Sequence, residues 1–149
     1  MSEHRAELLW LRGDRQFTYE TYSRDHVWTF DGATEVAASA APAYRGSPGR
    51  VDPEEAFVAA IASCHMLTFL AIAARKRIGV RSYRDSAVGH MEKNEQGRLA
   101  ITRVELAPRI EFDGEPPDAR TLAAMHHSSH EACFIANSVR TRISVTATD

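Results

Sequence analysis

Two cysteines, Cys64 and Cys133, are the residues of this chain best suited to chemistry. Cys64 lies in the middle of a long apolar run, and Cys133 ends the run H-E-A-C. Two cysteines so far apart do not make a disulfide scaffold, so they are either buried thiols or redox groups. An ordinary thiol has a pKa of about 8.5, and burial raises it. Cys64 therefore needs a cation near its sulfur if it is to react.

The segment around Cys64, residues 51–77, is predicted to form one long helix. Asp52 is a favourable N-cap, and Asp52 and Glu55 have the spacing of a capping box. Basic residues at the far end and Gly79 beyond them are typical of a helix C-terminus. Cys64 would lie about ten residues inside this helix. The helix dipole fades within one turn, so it does not activate the thiol.

Residues 56–74 contain no charged side chain apart from a possible charge on His65. A helix that is apolar on all sides is enclosed, so we expect a buried central helix. The run is also about as long as a membrane span. Polar Ser63 and Thr68 at its centre, and the lack of a second span, argue against a membrane. A chain of 149 residues can hardly cover such a helix alone, which predicts a partner subunit.

Length and charge indicate a small soluble protein with one domain, residues 1–149. The net charge is -2, from 18 basic and 20 acidic residues mixed along the chain. No basic block suggests a nucleic-acid partner. No apolar leader precedes the domain, so we expect a cytoplasmic protein.

The remaining elements predict an α+β fold with a mostly antiparallel sheet. Asp31-Gly32 is a hairpin signal, and the run from Asn94 to Gly97 is a second turn. Pro116-Pro117-Asp118 opens a second helix that runs to about Ala132. The predicted strands are residues 4–12, 16–19, 27–30, 35–38, 81–93, 98–112 and 140–148.

The second helix ends in a histidine-rich run that admits two interpretations. His126, His130 and Cys133 share one face with Leu122, and their side chains are possible zinc ligands. A structural zinc site needs four ligands, and this run has three. In the alternative interpretation, His126 and His127 are ordinary helix residues, one hydrogen-bonded and one exposed.

The segments P-E-E-A-F-V-A-A-I-A-S-C at 53–64 and H-E-A-C at 130–133 resemble the OsmC/Ohr family of thiol-dependent hydroperoxide reductases. The order of predicted elements is also similar, so the resemblance covers nearly the whole chain. It implies an intertwined α+β homodimer with active sites at the subunit interface and no cofactor. The chain differs at Cys133-Phe134, where better-known members have Cys-Pro, which indicates a separate branch.

The resemblance also implies roles for individual residues. Cys64 matches the cysteine that attacks the peroxide, and Cys133 matches the resolving cysteine. Glu54 matches a glutamate that pairs with an arginine beside the thiolate, and Arg24 is the best match for that arginine. His130, three positions before Cys133, is a supporting residue.

His65 is a second supporting residue, as a weaker alternative cation. Neighbouring helix residues point about 100° apart, so its ring is poorly directed towards the sulfur of Cys64.

The implied reaction reduces an organic hydroperoxide, and hydrogen peroxide less readily, through a sulfenic acid and a disulfide. An external thiol or dithiol, for instance of the lipoyl type, would then reduce the disulfide. The expected pocket wall is apolar: Phe57, Ile61, Leu67 and Phe134. Two other classes stay open, a zinc-binding protein using residues 126–133 and a non-catalytic protein that binds an apolar ligand.

Overall fold

The computed structural model describes residues 1–146, and within them it contains eight strands and two α-helices. The chain folds into two compact units, Met1–Ala56 and a second that begins at Phe57. The predicted α+β class is confirmed. The elements are β1 (Ala6–Leu9), β2 (His26–Phe30), β3 (Glu35–Ala38), α1 (Pro53–Arg75), β4 (Val80–Asp85), β5 (Val88–Lys93), β6 (Leu99–Leu106), β7 (Pro108–Phe112), α2 (Ala119–Ala132) and β8 (Arg142–Val145).

The first unit holds an antiparallel sheet in the order β1-β2-β3. The predicted hairpin is confirmed: Trp28 pairs with Val36, and Gly32 takes a φ of 84° in the turn. The predicted strand at 16–19 is wrong. Thr21 donates its hydroxyl to the carbonyl of Gln16 at 2.7 Å, and this local bonding competes with a strand.

Helix α1 begins at the predicted capping box. The Glu55 N–H donates to the Asp52 carboxylate at 2.8 Å, and the Asp52 N–H donates to the Glu55 carboxylate at 3.2 Å. In the loop before the helix, a Cβ at Gly46 would lie 1.5 Å from the carbonyl oxygen of Ala40, so only glycine fits there. The chain leaves the helix through Arg77, whose φ is 58°.

In the second unit, each of the two predicted long strands is divided into two shorter ones. β4 pairs with β7 and β5 pairs with β6, both antiparallel, and β8 adds to β6 in parallel. The break falls at Ala107, whose N–H leaves the ladder and donates to the Asp85 carboxylate at 2.8 Å. The predicted last strand is shorter than expected, and residues 147 and 148 of that prediction lie outside the described residues.

Two apolar clusters pack against α1 in this unit. One joins Ile61 to Val104 and Leu106 of β6, and the other joins Phe69 and Ala73 to Met125 of α2. Gly89 lets β5 approach the helix, because a Cβ there would lie 2.5 Å from a methyl group of Val58.

The single chain buries only part of α1, in agreement with the expectation that one chain can hardly cover this helix. Its buried residues form one strip four positions apart, Ile61, His65, Phe69 and Ala73. Leu67 on another face is 60% exposed. By length and composition α1 could cross a membrane, a test that core helices of soluble proteins also pass. Apolar side chains on the other faces of α1 are therefore open to solvent in the single chain.

Candidate functional site

The structure brings Cys64 and Cys133 together. Cys64 lies in α1, Cys133 is the C-cap of α2, and the two thiol groups are close enough to interact. Both cysteines are free thiols; Cys133 is buried and Cys64 is half-buried. The fold thus makes neighbours of two thiols that are 69 positions apart in the sequence.

The environment of Cys133 favours the protonated thiol. Burial raises the pKa of Cys133, and the interaction with Cys64 raises it further. The backbone N–H of Ala136 donates to its sulfur at 3.4 Å, which partly opposes this shift. The Cys133 thiol therefore ionises less readily than an ordinary cysteine.

A short turn after α2 holds the Cys133 sulfur in place. The Asn137 N–H donates to the Cys133 carbonyl at 3.0 Å, and the Ser138 hydroxyl donates to the Phe134 carbonyl at 2.7 Å. The Asn137 side-chain amide also donates to the carbonyl of Glu131 at 3.0 Å. These bonds turn the chain so that the Ala136 N–H faces the sulfur.

Next to the cysteines, His65 of α1 and His126 of α2 form a buried pair. The Nε2 of His65 and the Nδ1 of His126 are 3.1 Å apart, and the two rings are nearly parallel. Phe69 stacks on His126 with 4.6 Å between ring centroids. His127 is exposed, so the prediction of one hydrogen-bonded and one exposed histidine is confirmed.

Burial disfavours the protonated form of both histidines. Burial, together with His126 and His130 nearby, lowers the pKa of His65 to about 4. Burial also lowers the pKa of His126. His65 is therefore poorly suited to supply the cation near Cys64.

His130 lies one turn before Cys133, and its carbonyl accepts the Cys133 N–H at 3.3 Å. It is half-buried and close enough to His65 to affect that residue electrostatically. Among residues 1–146, no three His, Cys, Asp or Glu side chains are arranged to hold a metal ion. The geometry of the 126–133 run thus does not support a zinc site.

The two residues predicted to activate Cys64, Arg24 and Glu54, both lie in the first unit. The Arg24 guanidinium donates to the carbonyls of Tyr19 and Tyr22, each at 2.6 Å, and lies 3.7 Å from the Tyr22 ring centroid. Within the described chain, neither Arg24 nor Glu54 forms an ion pair. The predicted pairing is therefore not formed inside one chain.

The predicted apolar wall does not form as a single surface. Ile61 is fully buried in the core, and Phe57 packs against that core. Leu67 and Phe134, in contrast, are 60% and 80% exposed. Leu67 follows Cys64 by one helical turn and Phe134 follows Cys133 directly, so the two exposed side chains adjoin the cysteines in sequence.

Sequence reasoning missed the pairing of His65 with His126. One signal was present in the sequence: His65 is four residues from both Ile61 and Phe69, and so shares their buried strip. A buried histidine needs a partner, but the sequence does not identify it.

The family model described as OsmC-like protein matches residues 46–148. An OsmC-like protein of unknown function from Vibrio cholerae is 49% identical, with a TM-score of 0.95 over 99% of this chain and 100% of that chain. No curated protein sequence matches the chain.

Two organic hydroperoxide resistance proteins share the fold at 16% identity. The one from Elizabethkingia anophelis has a TM-score of 0.76 over 100% of this chain and 97% of that chain. The one from Bacillus subtilis has a TM-score of 0.70 over 99% of this chain and 98% of that chain.

Because its histidines are buried, the protein should lose free energy of unfolding as the pH falls. The pKa of His65 falls from about 6.5 in an unfolded chain to about 4 in the fold, so folding favours the neutral ring. Its contribution to the free energy of unfolding is complete above pH ~6.5 and is lost as the pH falls towards about 4, by on the order of 3 kcal/mol. Urea denaturation at a series of pH values measures this slope.

His65→Gln should flatten the slope between pH 7 and 4.5, whereas the exposed control His127→Gln should not. An identical pH dependence in wild type and His65→Gln would contradict the assignment of the slope to this residue.

Proposed function

Because the chain belongs to the OsmC-like family, we propose that it is a thiol-dependent peroxidase that reduces organic hydroperoxides as a defence against oxidative stress. The observation that carries the proposal is the proximity of the Cys64 and Cys133 thiols in a fold shared with organic hydroperoxide resistance proteins. Hydrogen peroxide is a poorer substrate of the proposed enzyme.

In the proposed cycle, Cys64 reacts first because its sulfur is partly accessible whereas Cys133 is buried. The Cys64 thiolate attacks the O–O bond, takes one oxygen as a sulfenic acid, and releases an alkoxide that gains a proton to become an alcohol. Cys133 then displaces the sulfenic oxygen as water and forms a disulfide. An external dithiol, of the lipoyl type, or two thiols restore both cysteines by exchange.

The substrate class follows from the surface next to the cysteines. Leu67 and Phe134 leave most of their apolar area in solvent. An organic group on the hydroperoxide would cover this area and gain roughly 25 cal/mol per Å² removed from water. Hydrogen peroxide has no such group. The second candidate function is non-catalytic: the same exposed residues would bind an apolar ligand. In that case the protein would not consume peroxide.

A homodimer is the proposed assembly, with each site completed across the subunit interface. α1 is continuous from Pro53, so Glu54 and Cys64, ten residues apart, are separated by about 15 Å along its axis. One Arg24 side chain does not bridge that distance within one helix. We therefore infer that the residues activating a given Cys64 come from two subunits.

The proposed reaction requires no cofactor. We propose that the enzyme works in the cytoplasm, where thiols are kept reduced.

A stoichiometric dose of cumene hydroperoxide should convert both thiols of the wild type into one Cys64–Cys133 disulfide. In Cys133→Ser, the oxidised Cys64 should stop at the sulfenic acid or over-oxidise, because the second thiol is missing. Mass spectrometry distinguishes these products. Two free thiols after treatment would exclude the peroxidase and leave the apolar-ligand candidate.

Sedimentation at micromolar concentration should show a homodimer, because the exposed apolar faces of α1 require cover. Ala71→Arg should weaken the dimer by placing a charge on an exposed apolar position of α1, while Arg98→Ala, on an exposed turn far along the chain from α1, should leave it unchanged. A stable wild-type monomer would contradict the assembly.

Arg24→Ala should move the appearance of Cys64 thiolate, followed by absorbance near 240 nm, to higher pH, because the proposed cation is lost. Peroxide attack at neutral pH should slow in proportion. Glu54→Ala should have a smaller effect, since it removes only the residue that orients Arg24. Arg45→Ala is the matched control, another guanidinium beside Tyr19. An unchanged Cys64 titration in Arg24→Ala would assign the cation to another residue.

A further inference from the structure

We propose that the His65–His126 hydrogen bond is a positioning element that keeps the Cys133 thiol against Cys64, so that disulfide formation is fast and favourable. The proposal rests on the proposed function for its biological role. Its physical content, the placing of one thiol by a bond between two helices, is testable without any peroxide.

The geometry joins the two helices at two places. Cys64 and His65 are consecutive in α1, whereas His126 and Cys133 are seven residues apart in α2. Seven residues correspond to about 10 Å along a helix. The imidazole pair therefore fixes α2 about two turns before Cys133, and the thiol contact lies at the end of the same helix. A rotation or slide of α2 would break the imidazole bond and withdraw the resolving thiol together.

The bond has a direction that apolar packing lacks. A neutral imidazole has one N–H donor and one acceptor nitrogen, so one ring of the pair donates and the other accepts. His65 and His126 are 1% and 6% exposed, and water does not easily replace a lost partner there. A buried polar group without its partner costs about 1–3 kcal/mol. Phe69, stacked on His126, fills the space beside the pair.

Within residues 1–146, the titratable groups that act on this pair or pack beside it come from α2 and β4. From α2, His130 acts on His65 electrostatically. From β4, Tyr83 packs against Phe69 with ring centroids 5.7 Å apart, and Asp85 lies close enough to act on Tyr83. Burial raises the pKa of Tyr83, so near neutral pH the tyrosine brings no charge to the pair. The bond is thus one between neutral groups in a mostly apolar setting.

The test compares two variants at the same position. His126→Phe keeps an aromatic ring next to Phe69 but removes the hydrogen bond. His126→Asn places an amide atom where Nδ1 now lies and can restore the bond to His65. His127→Phe, the neighbouring exposed position, is the matched control. His65→Leu is a second variant that removes the bond from the α1 side.

The primary readout is the equilibrium of the full-length protein with glutathione at pH 7. In it the protein dithiol and oxidised glutathione give the Cys64–Cys133 disulfide and two reduced glutathiones. His126→Phe and His65→Leu should lower the equilibrium constant about tenfold. His126→Asn should stay within about threefold of wild type, and His127→Phe should be unchanged.

A single-turnover reaction with cumene hydroperoxide provides the second readout. Sulfenic acid formation on Cys64 should proceed in His126→Phe within about twofold of wild type, while the following closure to the disulfide slows. A wild type that does not react with peroxide would refute the proposed function alone, because the glutathione equilibrium would still test the histidines.

Three outcomes would overturn the positioning role. The first is an unchanged glutathione equilibrium in a folded His126→Phe or His65→Leu. The second is a His126→Asn variant as impaired as His126→Phe, which would indicate a packing role. The third is failure of both disruptive variants to fold, which would make the pair a requirement of the core.

Discussion

The packing of α2 against one strip of α1 is the contact on which the rest of the second unit depends. Ile61, His65, Phe69 and Ala73 recur every four residues, so they lie along one side of the helix. Phe69 and Ala73 pack with Met125 of α2, while Ile61 packs with β6. Since α1 has only one such strip buried, its position relative to α2 is set over a narrow contact.

That narrow contact explains why polar groups lie inside it. Dispersion and the hydrophobic effect have no direction of their own, so apolar contacts orient the helices only through the shape of the side chains. The imidazole bond and the thiol contact do have direction, and both lie between α1 and α2. Burial keeps both histidines neutral, which avoids placing two cations in the core.

The same arrangement gives the two cysteines different chemical characters. Burial and the neighbouring thiol keep Cys133 protonated, whereas Cys64 is partly open to solvent. An accessible thiol next to a protected one supports the proposed order of reaction, in which the first thiol is oxidised and the second resolves it. The fold alone does not decide this chemistry, since the similar protein from Vibrio cholerae is described as having unknown function.

Much of the local structure was determined by the sequence itself. The start of α1 depends on Asp52 and Glu55, and the start of α2 depends on Asp118, which accepts the Thr121 N–H at 2.7 Å. The hairpin of β2 and β3 depends on the turn at Gly32. In each case the interacting groups are at most a few residues apart, so sequence spacing predicts the contact.

The features that only the tertiary structure decided join distant residues. The break at Ala107 depends on Asp85, 22 positions away, and the imidazole bond joins residues 61 positions apart. β8 pairs in parallel with β6, and the alternation of side chains in these strands does not predict the direction of that pairing. The apolar run of 56–74 likewise says that α1 needs cover on every side, but not that one chain buries a single strip. Which groups meet across such distances depends on how the elements pack, and the sequence near each residue does not contain that information.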